Sequence, residues 1–348
     1  MVDLLDPETH RTYAARPERL RELVLGHPQA GTFVIDEVQR APQLLDVVHR
    51  LIEEKRDRRF VLTGSSSRKL KRSGVDLLAG RALHRTLHPF MAAELGDDFD
   101  LKRNLRFGMI PLVLGASSPQ ETLAAYVSLY LREEVQAEGL VRDVGGFARF
   151  LEAISFSHGA QLNTSAVARE CSVSRTTVEG YISILEDLLL GFTVPVFTKR
   201  AQRHLAQHSK FYFADTGLFG ALRPAGPLDA PETIGGMALE GLVAQHLRAW
   251  IAYGRPDCEL HYWRTKAGLE VDFVVYGPDT MLALEVKASS AVHSQDVRSL
   301  RSFAEDYPQS RGCLLYGGRE RINVNGVMCL PVEDFLRTLV PTALPRLD

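Results

Sequence analysis

Phe33-Val-Ile-Asp36-Glu37 is an apolar run that stops abruptly on two acids. After a stretch patterned as a helix comes a second apolar run, Phe60-Val-Leu62, which stops on Thr63-Gly64. Short apolar runs alternating with helical stretches constrain the fold strongly. Parallel strands need long crossover connections and bury both faces, so the economical solution is an α/β sheet covered by helices. Helices are expected over 16–25 and 42–54. Open sheets of this kind meet ligands at the carboxyl ends of their strands, and Asp36, Glu37 and Thr63 all stand there.

The rest of the chain must supply more than one such unit, because 348 residues is enough for two or three domains. With 45% hydrophobic and 24% charged residues a packed core is expected. A net charge of −2 excludes a uniformly basic coat but leaves room for local basic patches. Cys171, Cys258, Cys313 and Cys329 lie far apart with no C-x-x-C pair, which fits a reducing compartment better than a zinc site or a disulfide framework. The first residues are acidic, unlike a secretory signal. No apolar stretch reaches the roughly 18 residues of a membrane span. A cytoplasmic location without a membrane partner is therefore expected.

Pattern and composition divide the chain into five segments. Residues 1–95 carry the alternating strands and helices, and 96–150 read as a helical connector. Residues 151–222 begin with helices and become strand-like around 211–213. The turn-rich run Arg223-Pro-Ala-Gly-Pro-Leu-Asp-Ala-Pro-Glu-Thr-Ile-Gly235-Gly236 has the composition of a linker over 223–236. Residues 237–348 read as a helix followed by strands, with one more helix near 293–306.

At the N-terminal strand end, Asp36 and Glu37 have the form of a Walker B element. In an intact site the aspartate reaches Mg²⁺ and the glutamate polarises the attacking water. A helix cap or a solvated strand end is the plainer alternative. A Walker B element works with a phosphate-cradling loop, G-x-x-x-x-G-K-[ST], and the sequence contains none. Gly26-His-Pro-Gln-Ala-Gly31-Thr32 imitates its spacing but lacks the lysine and precedes a strand instead of following one.

The segment Leu162–Glu186 reads as two short helices joined by a tight turn, with Thr164 or Ser165 and then Ser174 as N-caps. Ala168, Val173, Val178 and Ile182 have the spacing that locks such a pair, and a winged helix is the expected fold. Arg175, Thr176 and Thr177 would project from the start of the second helix, where a major-groove reader keeps its contacts. Lys199, Arg200, Arg203 and Lys210 form a local basic patch suited to phosphates. The same fold also serves protein contacts, and both roles stay open.

In the last segment, Glu270-Val-Asp272 and Glu285-Val-Lys287 lie on two runs separated by a turn at Gly277-Pro278. Period two puts Glu270 with Asp272, and Glu285 with Lys287, on shared faces. Pairing the runs as a hairpin brings Asp272, Glu285 and Lys287 together. Two carboxylates offer Mg²⁺ the oxygen ligands it prefers, and a bound ion would activate water toward a phosphodiester. A solvated charged face is the plain alternative. The spacing D-x₁₂-E-x-K resembles the PD-(D/E)xK nucleases, and that resemblance makes Glu240, on the preceding helix, the additional acid. Asp272 and Glu285 would then be the metal ligands. Trp263, just before the hairpin, is expected in the core.

Taken together, Asp3-Leu-Leu-Asp-Pro7, Val34-Ile-Asp-Glu-Val-Gln-Arg40, Leu62-Thr-Gly-Ser-Ser-Ser67 and Leu78-Ala-Gly-Arg81 resemble bacterial and archaeal AAA-type ATPases that carry a C-terminal domain of unknown function, DUF4143. The resemblance implies ATP as ligand, Thr63 at the sensor position and Arg81 as a phosphate-contacting arginine. Members of that family normally begin with a P-loop strand and helix, so a late start or a truncated gene product is expected here, with weak ATP binding and an uncovered sheet edge. The expected architecture is α/β: an incomplete P-loop/AAA-type parallel sheet, a winged-helix domain and a PD-(D/E)xK nuclease-like domain. Nucleic acid is the expected partner, and self-association is compatible with the family. A non-catalytic DNA- or protein-binding regulatory module is the alternative.

Overall fold

The computed structural model describes residues 1–54, 57–64, 82–130, 143–199, 208–227 and 229–347. They fall into two compact units, residues 1–85 with 187–189, and residues 86–186 with 190–348.

The first unit is the α/β sheet the alternation called for. Strands β1 (Val2–Asp3), β2 (Thr32–Asp36) and β3 (Arg59–Leu62) are all parallel in the order β1-β2-β3. Helices α1 (Pro7–Ala15), α2 (Arg19–Gly26) and α3 (Leu44–Glu53) connect them. Asp6 caps α1 by accepting from the Thr9 amide at 2.8 Å, and Pro7 takes a first-turn position where no N–H is needed. On α3 the spacing of Leu44, Leu45, Val48 and Leu51 makes one apolar face, and all four are buried in a core with Leu4, Leu20, Val24 and Ile35. Among the described residues β3 is an edge strand paired only with β2, and Val61 on it is 45% exposed.

The second unit begins with short helices, among them Leu101–Phe107 and Pro119–Ala125. There follow α4 (Val144–Ser155), β4 (Ala160–Gln161), α5 (Thr164–Cys171), α6 (Arg175–Asp187), β5 (Gly191–Val194) and β6 (Lys210–Phe213). The three strands form an antiparallel sheet in the order β4-β6-β5. Ala168, Val178 and Ile182 are buried, and Val173 is half-buried. Ser174 caps α6 through the Thr177 amide at 3.0 Å, as expected. The cap of α5 is instead Asn163, whose side-chain oxygen accepts from the Ala166 amide at 3.0 Å. An asparagine just ahead of two hydroxyl residues reaches the same orphan donor one position earlier, and Thr164 becomes the first helical residue.

After α7 (Thr216–Leu222) comes α8 (Pro231–Gly254), which starts inside the segment read as a linker. Pro231 at the first helical turn has its φ preset and lacks only an N–H that would be unbonded there anyway. The glycines at 235 and 236 lie within this helix despite their poor propensity, ahead of the buried stretch that begins at Ala238. Helix α8 covers one face of a six-stranded sheet built from β7 (Glu259–Arg264), β8 (Glu270–Gly277), β9 (Thr280–Lys287), β10 (Arg311–Tyr316), β11 (Ile322–Val324) and β12 (Val327–Pro331). The order is β11-β12-β10-β9-β8-β7, antiparallel across β7-β8-β9 and parallel across β9-β10-β12.

Leu242, Leu247 and Trp250 share a core with Phe273 and Leu284 on the α8 side. On the other side Trp263 and Val274 pack with Phe303 of α9 (Arg298–Asp306), so Trp263 is core as expected. Gly241 permits a close approach: a Cβ there would overlap the imidazole of His158, the residue preceding the Gly159 turn into β4. The helix α10 (Val332–Thr338) closes the described chain's last packed layer. All four cysteines are free and buried.

His246 on α8 is fully buried between the Leu242 carbonyl at 2.8 Å and the Ala92 amide at 2.9 Å. Burial pushes its pKa down from 6.5 to about 4. The unfolded chain therefore takes up a proton between those values that the folded chain refuses, and this share of stability, present above pH 6.5, is lost as the pH falls toward 4. Urea unfolding at pH 5 should show roughly 2 kcal/mol less stability from this residue than at pH 7. The His246→Gln variant should have a visibly flatter pH dependence.

Candidate functional site

At the end of the first unit's sheet the side chains anticipated from sequence do meet. The Thr63 hydroxyl donates to Asp36 Oδ1, and the Glu37 amide donates to Thr63 Oγ1 at 3.1 Å. Parallel pairing of Ile35 with Leu62 sets this up, because it brings the carboxyl ends of β2 and β3 level. Glu37 turns the chain with a φ of 55°, and its Oε2 accepts from Gln39 Nε2 at 2.5 Å. The result is an acid and a hydroxyl bonded to each other at the carboxyl end of the sheet. No G-x-x-x-x-G-K-[ST] in the sequence supplies the phosphate-facing half. Arg81 lies outside the described residues.

The second unit holds a denser constellation. Period two along β6 puts Lys210 and Tyr212 on one face, while Phe211 and Phe213 share the other with ring centroids 5.2 Å apart. Lys210 Nζ lies 2.9 Å from Glu240 Oε1 on α8, 2.5 Å from Glu270 Oε1 and 3.3 Å from Asp272 Oδ1 on β8. The Tyr212 hydroxyl donates to the same Glu240 Oε1 at 2.6 Å. Asp272 Oδ2 accepts from the Val286 amide on β9 at 2.9 Å, and Lys287 Nζ donates to Glu285 Oε1 at 2.8 Å. Arg264 completes the set with a 2.6 Å bond to Glu270 Oε2. The hairpin thus assembles Asp272, Glu285 and Lys287 as its register implied, and α8 brings Glu240 to them.

Lys210 was the residue misplaced from sequence. It is 2% exposed, so it belongs to this network and to no phosphate-binding surface patch. The available signal was its position: a lone charge in Lys-Phe-Tyr-Phe, a strand whose four residues are all buried.

Electrically the network is close to balanced. Four carboxylates, Glu240, Glu270, Asp272 and Glu285, face three cations, Lys210, Lys287 and Arg264. Burial pulls the Lys210 pKa down, but Tyr212, Asp272, Glu240 and Glu270 outweigh it and hold the ammonium well above the ordinary lysine range. Burial and then the charge of Asp272 push Glu240 up to about 7, against its bonds to Lys210 and Tyr212. The same two causes raise Glu285. Burial thus favours the neutral form of both Glu240 and Glu285.

A divalent ion does not fit this arrangement as it stands. Lys210 already bonds oxygens of Glu240, Glu270 and Asp272, and the second oxygen of Asp272 holds the Val286 amide. An ammonium and a hydrated Mg²⁺ would compete for the same oxygens. Among the described residues no group of three His, Cys, Asp or Glu side chains is disposed to hold a metal ion. The exception in the pattern is Glu285 Oε2, which is buried and has no hydrogen-bond partner.

Of the residues anticipated for DNA contact, Arg175, Thr176 and Lys199 are exposed. Arg175 is exposed and paired with Glu179 at 2.8 Å, Thr176 is exposed, and Thr177 bonds the Ser174 hydroxyl at 2.8 Å. Lys199 pairs with Glu259 on β7 at 2.8 Å and sits 4.3 Å from the Tyr276 ring centroid. Arg200 and Arg203 lie outside the described residues.

Removing one partner of a buried ion network leaves the others uncompensated. Lys210→Met should lower unfolding free energy by about 3–5 kcal/mol. Lys287→Met removes a cation that is 38% exposed with one carboxylate partner, and should lower it by about 1 kcal/mol or less once solvent screening is allowed for. Denaturant melts of the two variants at the same pH check the ordering.

Comparison with known proteins agrees with this layout. Residues 1–96 match an AAA domain family, residues 98–229 a domain of unknown function, DUF8612, and residues 235–335 the domain of unknown function DUF4143. The connector and the helix pair, read separately from sequence, thus fall within one matched family. Uncharacterized proteins of Mycobacterium bovis and Mycobacterium tuberculosis are each 27% identical over 316 residues, which is 89% of this chain and 70% of theirs. No solved structure matches. Among the described residues no helix is long and apolar enough to cross a membrane. With the strand-end motifs at 33–37 and 60–63 and these matches in hand, the chain is an AAA-type domain protein with a C-terminal DUF4143 domain.

Proposed function

We propose that this protein is a nucleic-acid-associated member of the AAA type, in which the C-terminal domain keeps a nuclease-like layout but serves as a scaffold without cutting. The observation that carries this reading is the Lys210 ammonium, buried among the acids that a metal-dependent nuclease reserves for its ion. An active site of that kind must admit a phosphodiester to a metal-bound water. Here Asp272 and Glu285 are 7% and 6% exposed and already neutralised by side chains of the chain itself.

Association with nucleic acid is supported by the order helix, strand, helix, helix, strand, strand over residues 144–213, which is that of a winged helix. The start of α6 is its exposed tip, with Arg175 and Thr176 in solvent and the basic residues Lys199, Arg200 and Arg203 following in sequence. ATP is the general ligand of the AAA type. The Asp36–Thr63 pair supports only the metal-facing half of such a site, and we assign no ATP turnover to it.

A second reading is Mg²⁺-dependent cleavage by Asp272, Glu285 and Lys287 assisted by Glu240, and it is favoured by the meeting of these four side chains. Plasmid DNA incubated with the full chain and Mg²⁺ separates the two readings: intact plasmid is expected, and nicking abolished by Asp272→Asn would overturn the scaffold. Fluorescence anisotropy with a labelled duplex should show affinity falling with salt, with a log–log slope of roughly −2 to −4 for two to four phosphate contacts. Arg175→Glu combined with Lys199→Glu should weaken binding about tenfold or more. A binding isotherm indifferent to both salt and these changes would remove the nucleic-acid assignment.

A further inference from the structure

We propose that the cavity bordered by β5, β7 and the C-terminal half of α8 is a binding site for a small organic monocarboxylate, whose charge is met by Arg248 and whose apolar body lies against Phe192, Ile251 and Leu260. The site shares no residue with the Lys210 network, so the inference is independent of the function proposed above.

Among the described residues β5 is an edge strand of the small sheet and β7 an edge strand of the large one, and the cavity they border with α8 has a volume of about 330 Å³. That volume lies at the small end of the range for ligand pockets, roughly 300–1,000 Å³. Phe192 on β5 is buried, and Ile251 on α8 and Leu260 on β7 are half-buried, so the walls are apolar. One cation is set into them. The Arg248 guanidinium carbon lies 4.5 Å from the centroid of the Phe192 ring, whose face attracts the charge but offers no oxygen acceptor. Among the described residues the guanidinium makes no hydrogen bond and no ion pair. Glu186, the acid whose charge acts on it, is already engaged, because its Oε1 accepts from the Thr193 hydroxyl at 2.9 Å. Burial pushes the Arg248 pKa down from 12.5 to about 10, against Glu186, and the group still carries its charge at neutral pH. His88, which feels that charge, is no counter-ion: burial and then Arg248 push its pKa down to about 4, and among the described residues its buried Nε2 has no hydrogen-bond partner.

A half-buried guanidinium without a carboxylate partner departs from the rule that charges taken out of water are paired, and an anion in the cavity would supply the pair. The planar fork of arginine matches the two oxygens of a carboxylate. A single guanidinium favours a single negative charge. A phosphate dianion would bring a surplus charge into a cavity that Glu186 also lines. The apolar walls favour a hydrocarbon body over a bare inorganic anion. Together these features select a monocarboxylate with a short aliphatic or aromatic body.

The test is titration of the full chain with hexanoate and with benzoate at neutral pH, followed by calorimetry and ligand-detected nuclear magnetic resonance, with inorganic phosphate as the comparison anion. Wild type is expected to bind one of these carboxylates per chain with a Kd of roughly millimolar or tighter, and phosphate at least about tenfold more weakly. Arg248→Met keeps an apolar stem, removes the charge and should weaken carboxylate binding at least about tenfold. Ile251→Trp narrows the cavity, leaves the guanidinium in place and should weaken it by a similar factor. Circular dichroism establishes which variants are folded. Should Arg248→Met not fold, Arg248→Gln takes its place beside Ile251→Trp. Hexanoate should also raise the melting temperature of wild type and leave that of the Arg248 variant unchanged. Absence of saturable binding of both carboxylates to wild type overturns the proposal, as does a folded Arg248 variant that binds them as wild type does, or phosphate binding as tightly as hexanoate. None of these results bears on the anisotropy measurement of DNA binding, so the failure of one reading is distinguishable from the failure of the other.

Discussion

The Lys210 ammonium ties together three elements of the second unit. It bonds Glu240 on α8 and both Glu270 and Asp272 on β8, while its own strand belongs to the small sheet with β4 and β5. Taking an ammonium out of water is worth several kcal/mol against folding, and carboxylates alone in the same place would be no better off. Each makes the other tolerable. Tyr212, one period along β6, adds a neutral donor to the same Glu240 oxygen, so the strand grips the helix at two successive positions on one face.

This contact lies within the one compact unit that the helix-rich middle of the chain and the DUF4143 region form. Composition marks 223–236 as a linker, yet Pro231 starts a helix of 24 residues whose middle is buried on nearly all sides. Glu240 and Gly241 sit side by side on it. One accepts from Lys210 and Tyr212, and the other leaves room for His158 at the entry to the small sheet. A bulkier residue at 241 would push the small sheet away and part the ion network with it.

The local patterns were the legible part. Alternation gave the parallel sheet of the first unit, and the level ends of β2 and β3 joined Asp36 to Thr63 as their places on the strands implied. Period two in Glu270–Asp272 and Glu285–Lys287, with a tight turn between, was enough to gather a hairpin site. Ser174 announced the start of α6 by its hydroxyl. What local pattern misjudged were positions whose role is set by a distant partner. Lys210 looked like one more cation in a basic stretch because its three acids lie 30 to 62 residues further on. The glycines at 235 and 236 have a low helix propensity, yet they fall in the first turns of a helix whose buried stretch begins only at Ala238.

An acidic strand end at Asp36-Glu37, a helix pair over Leu162–Glu186 and a D-x₁₂-E-x-K hairpin are properties of the sequence alone, since each depends on residue types a few positions apart and on the two backbone periods. Whether the hairpin's acids face a metal or a lysine is not a local property. It depends on which charge the folded chain delivers to a buried pocket, and desolvation makes that choice all or nothing. The tertiary structure delivers the Lys210 ammonium, and the hairpin's acids become part of a buried ion network.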